Sequence, residues 1–237
     1  MKSLKFLSLT FSVLSAGIFL SGCKKDNDGA DSSCRIITVT PSSGTGFNFT
    51  YNSSGQTESI TSGNVVTIFS YSGNVIVANT TLNGAFNAKK IITLNPNGFA
   101  ANVKTETSAN GATWYMNTYE YSGKELIKDT YTNSQNVTPE VTIVGWSGGN
   151  LVSTTKDGVT TSVEYYTDKP SQNGDYLVLT QMIQGYKVYN TKNVIKSLLT
   201  GNTITSFDYT YQDGKITALK FNGNGTITNY NFQYQCD

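Results

Sequence analysis

The chain has no histidine, only four prolines and three cysteines, and few charges. Without histidine it lacks the commonest general base and the commonest metal ligand, and a Ser-His-Asp triad is excluded. This decides how Gly145-Trp146-Ser147-Gly148-Gly149 is read. The segment matches the G-x-S-x-G nucleophile elbow, but that elbow needs a strand-to-helix turn and a histidine partner. The residues that follow, Asn150-Leu151-Val152-Ser153, read as another strand, so the segment is a hairpin turn. Charged residues make up 14% of the chain, against about 25% in a typical domain. Lys plus Arg number 17 and Asp plus Glu 16. No basic field exists to draw in nucleic acid, and no nucleic-acid partner is expected. The absent histidine and the terminal placement of two of the cysteines argue against a zinc site. No metal, cofactor or catalytic residue is assigned.

What is present begins with an address. Lys2 and Lys5 precede an apolar run over 6–20, closed by Leu20-Ser21-Gly22-Cys23. The run is shorter than the roughly 20 apolar residues a membrane-spanning helix needs. It reads as a signal peptide over 1–22 and is left out of the fold. The four closing residues resemble the lipobox of bacterial lipoproteins, which implies that Cys23 carries the lipid and becomes the first mature residue. Residues 23–33 then form a lipidated flexible tether, polar and without periodicity, and 34–237 a single antiparallel β domain. Lys24-Lys25-Asp26-Asn27-Asp28 is similar to the charged export tag of Bacteroidetes surface lipoproteins. The expected location is the cell outer membrane, lipid-anchored and surface-exposed, with the periplasmic face as the alternative. Asp26-Asn27-Asp28-Gly29 is not a calcium loop: an EF-hand closes on a Glu at its twelfth position, and here that position is Ile37.

The remainder is a hairpin repeat. Aromatic or branched residues alternate with polar ones, a Gly-containing turn follows, and then an Ile, Val or Leu. Phe47-Asn48-Phe49-Thr50-Tyr51 leads to Gly55 and Ile60, and Phe207-Asp208-Tyr209-Thr210-Tyr211 to Gly214 and Ile216. The residues before each turn (Tyr51, Tyr71, Leu94, Tyr121, Trp146, Tyr211) recur at roughly 20 to 27 residues, with one double-length gap. Alternation places the aromatics on one face and Asn, Gln, Thr, Glu and Asp on the other. The clearest turns are Gly123-Lys124, Asp213-Gly214 and Asn222-Gly223-Asn224-Gly225. Val194, Ile195, Leu198 and Leu199 fall at helical spacing before Gly201, which predicts one short helix near 191–200; the other reading of that segment is a further strand.

Cys34 and Cys236 remain, one at each end of this domain. An oxidising envelope favours a disulfide between them, with a pair of free thiols as the alternative. A disulfide makes the first and last strands neighbours and curls the sheet back on itself.

Asn193-Val194-Ile195-Lys196-Ser197-Leu198, residues 207–214 and residues 230–236 resemble the C-terminal half of a Bacteroidetes lipoprotein family of unknown function with a porin-like all-β fold. The hairpins are also similar to YD-type repeats, although no strict Tyr-Asp motif recurs. The resemblance implies antiparallel hairpin repeats curled into a barrel-like or strongly bent sheet, and it implies no activity. A membrane barrel needs an apolar outer band on strands of about 9 to 11 residues. The Tyr-rich face fits a soluble barrel with its aromatics inside.

Three functional readings follow. The first is a non-catalytic surface binding module for a glycan or another envelope ligand, with Trp114 and Trp146 as stacking residues; the bland reading of both tryptophans is packing. The second is a structural or accessory subunit held by an envelope protein partner. The third is a carboxylate-pair glycoside hydrolase built from Glu120, Glu164 and Asp208, which point to the polar face and would pair only if their strands are adjacent.

Overall fold

The computed structural model describes residues 34–136, 138–223 and 225–236. The signal peptide expected over 1–22, the lipidation expected at Cys23 and the tether expected over 23–33 lie outside the described residues. The described residues form sixteen strands and one helix. In chain order the strands are β1 (Cys34–Pro41), β2 (Phe47–Tyr51), β3 (Thr57–Ser62), β4 (Val65–Ser72), β5 (Val75–Leu82), β6 (Ala85–Leu94), β7 (Ala100–Glu106) and β8 (Trp114–Ser122). They continue as β9 (Glu125–Asn133), β10 (Glu140–Ser147), β11 (Asn150–Lys156), β12 (Val159–Pro170), β13 (Asn193–Thr200), β14 (Thr203–Gln212), β15 (Lys215–Gly223) and β16 (Thr226–Cys236). The helix α1 (Tyr176–Gln184) lies between β12 and β13.

Each strand pairs antiparallel with its neighbours in sequence, and β1 pairs with β16, so the sheet closes into a barrel. The closing pair begins at Cys34↔Cys236, where a disulfide joins the two ends of the barrel across 4.0 Å between Cα atoms. Three of the hairpins turn on Asn83-Gly84, Asp157-Gly158 and Asp213-Gly214, with positive φ at both residues. This is the type I′ geometry whose twist matches that of paired strands.

Alternation sets the two faces. On β4, Thr67, Phe69 and Tyr71 point inward while Ile68, Ser70 and Ser72 face out. Pairing carries the inward set around the wall: Ile60↔Thr67, Phe69↔Ala78, Ile76↔Ile92 and Ile92↔Val103. The resulting core runs from Ile36 and Val39 through Phe69 and Ile92 to Phe207, Leu219 and Phe232. At about 25 cal/mol per Å² of buried apolar surface this core is the main source of stability.

The recurring aromatic has a specific role. Where a hairpin begins, the register slips by one residue, as between Ile36 and Thr38 or opposite Glu120 and Tyr121. Such a bulge interrupts the hydrogen-bond ladder. The next even-numbered strand supplies a donor to the carbonyl beside it. Tyr51 donates to the Ile36 carbonyl (2.6 Å), Tyr71 to Thr57 (2.7 Å) and Tyr121 to Ala100 (2.7 Å). The Trp146 indole donates to Leu126 (2.7 Å), Tyr165 to Leu151 (2.7 Å) and Tyr234 to Ile216 (2.7 Å). All six bonds lie at the end of the barrel that carries Cys34 and Cys236.

Sixteen strands enclose a lumen wide enough for an aqueous channel. Here the connection from β12 to β13, residues 171–192, enters it from the same end. Gly185 ends α1 in the left-handed conformation, φ 83°, and an added Cβ would lie 2.1 Å from the Phe69 ring of β4. The Ala100 amide of β7 donates to the Lys187 carbonyl (2.8 Å). The Tyr234 hydroxyl of β16, which donates to Ile216, also lies 3.1 Å from the Asn173 carbonyl, and the Asn173 side-chain amide donates to the Cys34 carbonyl (3.3 Å). Tyr176 packs 4.5 Å from the Phe207 ring of β14. Contacts with opposite walls seat this segment as a stopper in the end beside Cys34, and the other end is the mouth.

The helix expected near 191–200 is instead β13, and the helix is α1. The helical spacing in 194–199 has another origin. Pairing with β12 is irregular at Tyr165↔Ile195, so Val194 and Ile195 are both buried and Ile195 and Leu198 share a face.

Replacing Cys34 and Cys236 together by serine frees a loop whose ends are 202 residues apart. The expected loss is about 5 kcal/mol on the chain-entropy account, read as a fall in the urea midpoint. A midpoint unchanged between the two forms would refute that account of closure.

Candidate functional site

The stopper reaches only part of the way down the lumen and leaves a blind cavity. It has a volume of about 470 Å³, within the size range of small-molecule sites. Its walls are inward positions of β8 to β13. Its floor is Leu177, Thr180, Gln181 and Gln184 of α1, with Tyr186, Val188 and Tyr189 beyond it. Leu126, Val144, Leu151, Val163 and Leu198 make the deeper wall apolar, while Asn117, Asp129, Thr142, Thr154 and Thr161 make the upper wall polar. A second space of about 340 Å³ shares Asn117, Asp129 and Thr142 with it and extends to Tyr131, Glu140 and Lys156 beside the mouth.

Strand register places these groups together. Across the wall run Asn117↔Tyr131↔Glu140 and Tyr119↔Asp129↔Thr142↔Lys156, all on the inward face. The Asn117 amide reaches both oxygens of Asp129, at 2.9 and 3.1 Å. Burial pushes the Asp129 carboxyl up from its ordinary value, against the Asn117 hydrogen bond and the Lys156 charge, which pull it down. Lys156 is engaged by Glu140 at the mouth, where both side chains are half exposed. Burial lifts the Tyr119 and Tyr186 hydroxyls, which interact with one another. Lys90, also inward, packs over the Tyr186 ring at 5.8 Å from its centre, and burial lowers its pKa.

The floor is held by one buried acid. Asp175 is fully buried and caps α1, accepting from the Leu177 amide (3.3 Å), the Ser171 hydroxyl (3.2 Å) and the Tyr209 hydroxyl (3.2 Å). Desolvation outweighs those bonds and pushes its carboxyl up to about 6.

The residues singled out from the sequence fall elsewhere. Trp146 is inward, its indole spent on the Leu126 carbonyl and its ring packed on the core. Trp114 lies on the outer wall, with the Lys104 ammonium 5.7 Å from its ring centre. Neither lines the cavity. Glu120, Glu164 and Asp208 point outward as expected, but β8, β12 and β14 are not neighbours, so they form no pair. Glu120 holds Lys128 (2.8 Å), Glu164 holds Lys196 (3.4 Å), and Asp208 stands opposite Lys220. The carboxylates that do face a shared space are Asp129 and Glu140. Among the described residues no three Cys, Asp or Glu side chains are grouped to hold a metal ion. A further groove of about 480 Å³ lies on the outer wall, where β1 and β2 part after two residue pairs. It shares no residue with the two lumen spaces, and no acidic side chain lines it.

No protein-family model matches the chain, and no curated protein matches it. Solved structures do. One is a porin-like protein from Bacteroides uniformis ATCC 8492, 15% identical, with a TM-score of 0.61 over 84% of this chain and 96% of that one. Another is a porin-like protein from Bacteroides vulgatus ATCC 8482, 12% identical, with a TM-score of 0.60 over 84% of this chain and 98% of that one. At that identity the likeness shows the fold: a porin-like, all-β antiparallel barrel.

Asp175 gives the floor a pH dependence of known sign. Its folded pKa, about 6, stands above the ordinary 3.8. The penalty for charging it is therefore absent below pH 3.8 and fully present above about pH 6, at about 3 kcal/mol. Asp175→Asn keeps a capping side chain and removes that titration. In urea unfolding the variant should gain on the native protein by that amount between pH 4 and pH 7; a constant difference would contradict the assignment.

Proposed function

We propose that the protein is a non-catalytic, lipid-anchored cell-envelope binding protein that takes a small envelope-derived ligand, a glycan fragment or another molecule of that size, into the blind lumen of its barrel. The observation that carries this is the cavity itself, apolar at its floor, polar at its rim and closed at one end by α1. Lipid on Cys23 would tether the chain through about ten residues, a reach of at most about 33 Å. That tether would reach the barrel at Cys34, at the end opposite the mouth, which leaves the mouth free to face away from the membrane. An outer-membrane address with the mouth exposed at the surface fits this orientation.

The outer wall supports a barrel that stands in water rather than in lipid. Lys104, Lys128, Lys196 and Lys220 face outward near mid-strand. A lysine at the midplane of a membrane barrel costs about 2–4 kcal/mol. The lumen is also obstructed by residues 171–192, which argues against a through-channel.

Full-length protein held in nanodiscs provides the test, with calorimetry against envelope glycan fragments and small envelope metabolites. Thr154→Trp narrows the cavity and should abolish binding of any ligand found, while Trp114→Ala on the outer wall should leave it unchanged. The reverse pattern would move the site to the outer wall and overturn the proposal. Cys23→Ala should shift the protein from the detergent phase to the aqueous phase on Triton X-114 partition; continued detergent partition would refute the anchor.

A further inference from the structure

We infer that the lumen is built for an organic cation, an ammonium head on a short apolar body, an inference that rests on the lumen being the ligand site. The first argument is charge. The ionisable groups lining the two joined spaces, tyrosines aside, are Asp129, Glu140 and Lys156. Lys156 and Glu140 engage each other. Asp129 is left with a neutral amide as its hydrogen-bond partner. A carboxylate has about four acceptor positions, and the single Asn117 amide group does not fill them. The residues lining the cavity therefore carry one net negative charge, partly removed from water, with spare acceptor capacity on Asp129.

Aromatic rings supply the second argument. Tyr119 and Tyr186 border the same cavity. The Lys90 ammonium, which does not line the cavity, already packs over the Tyr186 ring. Ring faces attract cations, and aromatic cages are a recurring way of holding a quaternary ammonium. Beneath Asp129 the walls turn apolar, from Leu126, Val144 and Leu151 to Leu177 on the floor. A ligand whose charge rests at Asp129 thus extends its apolar part toward α1.

Other ligand classes fit less well. An anion would meet Asp129 and Glu140, and the one cation there, Lys156, is already engaged by Glu140. A neutral polyol would cover the Asp129 charge without neutralising it, and burying an uncompensated charge is costly.

The test uses full-length protein in nanodiscs and four soluble probes: benzyltrimethylammonium, benzyl alcohol, benzoate and methyl glucoside. Calorimetry should show benzyltrimethylammonium binding at least tenfold tighter than benzyl alcohol, with benzoate and methyl glucoside silent. Asp129→Asn should remove at least tenfold of the cation's affinity, and Glu120→Gln on the outer wall none. If benzyl alcohol or methyl glucoside binds as tightly as the cation and Thr154→Trp abolishes that binding, the lumen site stands and the cation preference falls. If no probe binds, or if binding ignores Thr154→Trp, this inference falls as well. The comparison of cation with alcohol on the native protein decides the matter even if Asp129→Asn does not fold.

Discussion

The hydrogen bond from six of the eight even-numbered strands to a carbonyl beside the bulge of the preceding strand is the interaction on which the barrel depends. A bulge leaves a residue without a partner and lets the sheet bend, and a bending sheet can close. It also interrupts the ladder at a buried edge, where an unmet carbonyl costs about 1–3 kcal/mol. The tyrosine or tryptophan at the end of the next hairpin meets that need and buries its ring in the same step. The sequence repeat is the imprint of this interlock. Its variations fit: β4 and β5 pair without a register shift, and the following strand carries Leu94 where its counterparts carry a donor. Tyr211 is the other departure, its hydroxyl buried without a hydrogen-bond partner. It lies where the inserted segment rejoins the wall at β13.

Width is the second constraint. A ring of sixteen strands encloses more space than wall side chains alone can fill. One connection, residues 171–192, is folded inward to fill the end where the interlocking aromatics already crowd. Threonines and charged groups are left to line the other end. Gly185 is needed because the α1 terminus comes too close to Phe69 for a side chain. The same event that stabilises one half of the barrel shapes a blind site in the other.

Much of this was legible in the chain. Alternating Phe, Tyr and Thr gave the strands, Asp213-Gly214 and its like gave the turns, and the terminal cysteines pointed to closure. The helix falls in the wrong place because the extra residue Lys196 produces helical spacing within a strand. Its true signals, Asp175 as N-cap and Gly185 as terminator, stand inside the double-length gap of the repeat, which holds both the repeat position Tyr165 and the inserted residues 171–192. The site was hidden by the same bulges. Strict alternation from Leu126 sends Lys128 inward and Asp129 outward; the extra residue Ile127 reverses both. The extra residue Val152 turns Lys156 inward in the same way. Period-2 reasoning fails by one residue wherever a strand is bulged, and the polar lining of the lumen lies beyond those bulges.

The interlock is tested most directly by removing single hydroxyls and measuring unfolding in urea. Tyr121→Phe takes the donor from the Ala100 carbonyl and should cost about 1–3 kcal/mol. Tyr211→Phe removes a buried hydroxyl that has no hydrogen-bond partner, and it should cost nothing or stabilise the protein. Equal losses in the two variants, or no loss in Tyr121→Phe, would contradict the account.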